Sequence, residues 1–133
     1  MTAAISGLPY FLLYFGIAVG LVALYLVVYG LATAHNEFDL IRQNVLSAAV
    51  SLGLSLVGFA LPLSSAIVHA NTVLDLLVWG LVALAVQIVV YWLVRLLVPN
   101  LSQRIASGEL SSALFLGAAS VAAGIVNAAA MNF

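Results

Sequence analysis

Apolar residues run almost without a break along this chain, and two polar islands divide them. The first island, Ala34-His35-Asn36-Glu37-Phe38-Asp39-Leu40-Ile41-Arg42-Gln43-Asn44, separates two apolar runs. Each run is long enough to cross a bilayer. A related island, Pro99 to Glu109, recurs 64 positions later. With a short polar turn at His69 to Leu74, the pattern predicts four spans, at about Leu8–Thr33, Val45–His69, Asp75–Val98 and Leu110–Met131. Leu101 and Ile105, four apart, predict a short helix lying in the interface within the second island.

Inside the spans, small and weakly polar residues recur at helical spacing. Gly16, Gly20, Ala23, Val27 and Gly30 share one face of the first span, including a GxxxG pair. Small residues let helix backbones approach in lipid, so this face is expected to pack closely. Ser47, Ser51, Ser55, Gly58, Pro62 and Ser65 form a stripe on the second span. Pro62 should kink that helix, and Ser64 and Ser65 are placed to satisfy the freed carbonyls. Gln87 shares a face of the third span with Gly80 and Ala83. Ala113, Gly117, Ser120, Gly124 and Asn127 form a narrow seam on the fourth. Tyr10, Tyr14, Trp79, Tyr91, Trp92 and Arg95 lie where anchors at the membrane boundary are expected.

The two halves align without a gap at an offset of 64. Gly16 matches Gly80, Phe15 matches Trp79, Val22 matches Val86, Asn36 matches Asn100 and Ile41 matches Ile105. Leu46-Ser47 matches Leu110-Ser111, Ala49 matches Ala113, and Leu52-Gly53 matches Leu116-Gly117. The fold class expected is an all-α membrane protein of four transmembrane helices, built as two tandem, same-orientation hairpins over residues 8–69 and 72–133. Two spans per unit leave both units in the same orientation, related by a pseudo-two-fold axis along the membrane normal. The halves differ in polarity: Gln87 stands opposite Ala23, Asn127 opposite Leu63, and Arg95 opposite Leu31.

Composition changes the picture only by excluding alternatives. Hydrophobic residues make up 66% of the 133 positions and charged residues 5%, against roughly 25% charged in a soluble domain. The lipid bilayer is therefore the principal partner, and a soluble domain has no room beside four spans. A net charge of −1 argues against nucleic acid. There is no cysteine, which removes disulfides and thiolate chemistry. Met1 to Pro9 carries no Lys or Arg, so the first apolar run is expected to be retained as a span rather than cleaved as a signal. Arg42, Arg95 and Arg104 gather at one end of the spans. The bias of positive charge places that end in the cytoplasm and both termini in the periplasm.

Two groups of residues carry candidate chemistry. Ser55, Gln87 and Ser120 fall near one depth around the midplane, and Asn127 lies farther along the fourth span. Gln87 is expected to point into the bundle and bond a serine hydroxyl or a backbone carbonyl, because a bare amide in hydrocarbon costs several kcal/mol. Interhelical bonding is favoured over a solute path, since no ionisable residue lies mid-membrane. At the arginine side, Glu37, Asp39, Arg42, Arg95, Arg104 and Glu109 sum to zero formal charge, and a network tying the two islands together is expected. His35 with Glu37 and Asp39 has the residue types of a metal site, but one short loop without a second His is a weak ligand set. A capping and salt-bridge cluster that includes Asn36 is favoured, and no cofactor is expected. His69 and Asp75 read as a solvated interfacial pair. No nucleophile–base pair or cofactor fingerprint supports an enzyme.

His35-Asn36-Glu37, Leu40-Ile41, Asn44, Pro62-Leu63-Ser64-Ser65-Ala66, Trp79-Gly80, Gln87, Arg95-Leu96, Pro99, Leu101-Ser102, Gly117 and Asn127-Ala128-Ala129 occur in an order that resembles the YjfL-like family. These are small bacterial inner-membrane proteins built on a domain of unknown function numbered 350. Ser107-Gly108-Glu109 fits that family's Gly-Glu step before the last helix. The resemblance implies four spans in the inner membrane and a link to envelope-stress proteins as partners. It carries no catalytic residue. The function expected is a structural or partner-binding component of envelope maintenance. The alternative is a small channel or carrier working as a homo-oligomer, with the Ser/Gly stripes, Gln87 and Asn127 lining the path.

Overall fold

A computed structural model describes residues 5–33 and 37–131. The elements follow the polar islands closely. Helix α1 covers Leu8–Ala32, α2 Glu37–Arg42, α3 Leu46–His69, α4 Val73–Leu97, α5 Leu101–Ala106 and α6 Leu110–Ala130. Helices α1, α3, α4 and α6 are each long and apolar enough to cross a membrane, and no strand occurs among the described residues.

Local chemistry sets the helix ends. Pro9 stands in the first turn of α1, where its missing N–H removes no helical bond. The Thr72 hydroxyl caps α4 by accepting from the Asp75 N–H at 3.2 Å. The two short helices end alike. Asn44 and Gly108 both take left-handed backbone, φ 64° and 95°. After α2, Asn44 N–H donates to Ile41 O and Val45 N–H to Leu40 O, both at 2.9 Å. After α5, Gly108 N–H donates to Ile105 O at 3.0 Å and Glu109 N–H to Arg104 O at 2.9 Å. This is the Schellman ending, which satisfies the last carbonyls and turns the chain sharply. The short helix expected in the second island is α5, with Leu101 and Ile105 buried against the bundle, and α2 is its counterpart in the first.

The tightest helix pair is α3 with α6. Gly58 and Gly124 make it so. A Cβ on Gly124 would overlap the Gly58 carbonyl, and a Cβ on Gly58 would overlap the Ser120 carbonyl. Lipid supplies no hydrophobic drive between helices, so this close backbone fit holds the pair together by packing and dipolar contact. Helix α4 lies on both α3 and α6, and α1 lies on α3 and α4. Gly80 opens space for the Leu21 side chain of α1.

One expectation about α1 is reversed. Gly16, Gly20 and Gly30 have nothing within 4 Å of where a Cβ would stand, and Ala23 and Val27 are exposed. The buried face carries Ala18, Leu21, Tyr25 and Tyr29 instead. The physical reason is the pair of tyrosines: the Tyr29 hydroxyl finds Ser55 inside, and both rings pack on aromatic neighbours there.

Candidate functional site

The centre of the bundle is built around a backbone defect. Pro62 has no N–H, so the Gly58 carbonyl one turn earlier lacks its helical donor. Gln87 of α4 supplies that donor. Its Nε2 donates to Gly58 O at 2.9 Å and to Ser120 O at 3.2 Å. One side chain thereby joins α4 to both members of the central pair. Ser64 and Ser65, expected to serve this role, do not: Ser64 is exposed, and Ser65 Oγ donates across to Ala128 O at 2.9 Å.

Ser55 and Ser120 meet beside this junction, with their hydroxyls 3.5 Å apart. Ser55 Oγ also donates to the Tyr29 hydroxyl at 3.3 Å. Tyr29 stands edge-on to Tyr91, with ring centroids 5.8 Å apart, and Tyr25 stacks on Phe59 at 4.6 Å. The result is a buried polar column of hydroxyls and one amide, walled by aromatic rings. One amide atom in it, Gln87 Oε1, is buried without a hydrogen bond, and so is Asn127 Nδ2 outside it. Asn127 sits beyond Gly124 on α6 and does not join the Ser55–Gln87–Ser120 cluster through any hydrogen bond among the described residues.

The tyrosines were absent from the expected site. Tyr25 and Tyr29 stand four apart in the last two turns of α1, on one helix face, and that shared face is the signal the sequence offers. Tyr91, expected at the boundary, is fully buried, with its hydroxyl 2.5 Å from Ser102 Oγ. Trp92, next along the chain, is the residue that faces outward there.

At the arginine side the described ion pairs are local. Arg42 pairs with Asp39 within α2 at 3.1 Å, and Arg104 pairs with Glu109 at 3.7 Å. Glu109 also accepts from Ser112 Oγ at 2.8 Å, at the start of α6. The expected ionic tie between the islands is not formed among the described residues. A neutral bond crosses instead: Ser47 Oγ of α3 donates to Ile105 O of α5 at 2.6 Å. Rim-exposed side chains gain little from bridging a wide gap, whereas a buried hydroxyl must find an acceptor. Arg95 has no ion pair among the described residues. Glu37 is only 3% exposed, so it belongs to the bundle's end rather than to its charged surface. His35 and Asn36 lie outside the described residues, and with them the His35–Glu37–Asp39 grouping. Between the two loops lies a cleft of about 370 Å³, lined by residues 44–47 on one side and 106–108 with Leu110 on the other. At the opposite end, His69 Nδ1 lies 2.9 Å from Ser65 O, and Asp75 accepts from the Asn71 N–H at 3.1 Å. Each of these two residues thus finishes a helix end.

A family model described as Domain of Unknown Function (DUF350) matches residues 3–131. The UPF0719 inner membrane protein YjfL of Escherichia coli strain K12 is 39% identical over 120 residues, covering 90% of this chain and 91% of that protein. The UPF0719 transmembrane protein YshE of Bacillus subtilis strain 168 is 28% identical over 87 residues, 65% of each chain. No solved structure matches. With four apolar helices and near full-length agreement with an inner membrane protein, the chain belongs to the DUF350 family, a group of uncharacterised multi-pass membrane proteins.

Proposed function

We propose that this protein is a structural, partner-binding component of the inner membrane, acting in envelope maintenance, with its arginine-side face as the docking surface. The observation that supports this most is a contrast between two regions. Within the membrane, Gln87, Ser55 and Ser120 bond to other helices of the same chain, and the Gly58–Gly124 contact closes the centre of α3 against α6. On the arginine side, two capped short helices frame an open cleft flanked by charged residues. A bundle that fills its own interior and presents a shaped polar face suits recognition better than passage or catalysis.

In this reading the chain is two tandem hairpins, 8–69 and 72–133, mounted the same way up, with both termini in the periplasm. The matched loop endings at an offset of 64 support it. The test is a photo-reactive residue placed in living cells at Gln43, at Ser107 or, as control, at Asn71. The expected result is one discrete adduct from Gln43 and Ser107, lost on Arg42→Glu and absent from Asn71. Equal adducts from all three positions, or none from the loop pair, would overturn the reading.

A second reading is an oligomeric channel for an ion or small solute. The unpartnered Gln87 Oε1 and the outward glycines of α1 favour it. Ion flux through purified protein in liposomes that stops on Gln87→Leu would put this reading in place of the first.

A further inference from the structure

We propose that Arg95, Asn100, Ser102 and Gln103 form a binding site for a phosphate group, occupied in the membrane by the head group of an anionic phospholipid. These residues line a cleft of about 120 Å³ where α4 ends and α5 begins. Arg95 stands two residues before the end of α4, at the level of the head groups rather than the hydrocarbon.

Charge and chemistry select an anion. Arg42 and Arg104 are each held by a carboxylate of their own loop, whereas Arg95 has no carboxylate partner among the described residues. The cleft lining contains a guanidinium, two side-chain amides and a hydroxyl, and no Asp or Glu. Guanidinium and amide donors suit phosphate oxygens, and the guanidinium can hold two of them side by side. One wall is fixed in advance. Leu101 is buried beneath it, and Ser102 is tied to the buried Tyr91 hydroxyl. With that wall fixed, only the Arg95, Asn100 and Gln103 side chains have to be ordered on binding. Trp92 and Leu96, on the same end of α4, are 51% and 80% exposed and give the acyl chains an apolar surface. Basic pockets at this depth are a known way of holding anionic lipids.

The other half of the chain is an internal comparison. At the positions 64 residues earlier stand Leu31, Asn36, Glu37, Phe38 and Asp39. Those positions hold two carboxylates and no arginine or lysine, so the residue set of the site is found in the second half alone.

The experiment uses the full chain in neutral detergent, carrying Trp79→Phe so that Trp92 reports alone. Brominated phosphatidylglycerol and brominated phosphatidylcholine are titrated in, and quenching of Trp92 is read. The expected result is quenching at roughly tenfold lower concentration of the anionic lipid, the scale of one charge-assisted contact. Arg95→Leu should erase that preference, and so should Gln103→Glu, an exposed and nearly isosteric change that places a carboxylate in the cleft. Unchanged thermal melting of Gln103→Glu shows that the fold is intact. Equal quenching by both lipids, or a preference that survives both substitutions, would overturn the proposal. Inorganic phosphate is the third arm. Displacement of the lipid by phosphate alone at micromolar concentration would keep the site and make the free anion its occupant. No displacement at millimolar phosphate assigns it to lipid.

Discussion

Pro62 deletes a hydrogen-bond donor in the middle of α3, and a glutamine from another helix replaces it. This exchange makes a sharp prediction at the level of single side chains. Gln87→Leu should lower stability by about 1–2 kcal/mol, the range for a polar side chain bonding between membrane helices. In a Pro62→Ala background the backbone N–H returns to the Gly58 carbonyl, and the same substitution should cost about half as much. Unfolding in detergent of the four proteins of this cycle measures the coupling. Strict additivity would mean that Gln87 acts through Ser120 alone. The tyrosines offer a parallel contrast. Tyr29 accepts from Ser55, while the Tyr25 hydroxyl is buried without a formed hydrogen bond. Tyr29→Phe should cost about 1 kcal/mol, whereas Tyr25→Phe should be neutral or stabilising, because it removes an unsatisfied polar group. Thermal melts of the two variants, side by side, check the order.

At the scale of elements, glycine has opposite meanings on two helices. Gly124→Ala puts a methyl group into the Gly58 carbonyl and should force α6 away from α3. A loss of about 1–3 kcal/mol is expected, as for other overpacked contacts. Gly20→Ala meets open space, and its effect should stay within about 0.5 kcal/mol or favour the helix. Comparing melting temperatures of the two alanine variants in one detergent tests this. The same pair explains what the sequence made legible. Helix positions were plain, because island and span differ so strongly in polarity that boundaries fall within a residue or two. The α3 and α6 seams were also plain, since serine and glycine there alternate with bulky residues that lipid accepts. The packing face of α1 was not. Residues at spacings of three and four can be traced on either side of an apolar helix, and hydrophobicity cannot separate lipid from a neighbouring helix. Only Tyr25 and Tyr29 marked the buried side. The donor to the Gly58 carbonyl was hidden for a different reason: Gln87 is 25 positions from Pro62, and their meeting depends on where α4 crosses α3.

For the whole molecule, the position of the arginines bears on which way up the four spans stand. All three arginines lie at one end of the bundle, two of them in the loops that end in matched Schellman turns. The turn between α3 and α4 has no Lys or Arg. Moving an arginine across hydrocarbon is expensive enough to fix orientation during insertion, while the carboxylates beside them weigh little. The absence of cysteine makes the consequence measurable without background labelling. Gln43→Cys, Asn71→Cys and Ser107→Cys all sit at exposed positions, one in each connection between spans. In intact cells whose outer membrane has been made permeable, an impermeant maleimide should label position 71 and spare 43 and 107. Opening the inner membrane should then expose both. Two hairpins of one orientation require positions 43 and 107 to behave alike, whichever side they occupy. Labelling of one and protection of the other would mean an odd number of crossings between them, which the pair α3 and α4 cannot supply if both span.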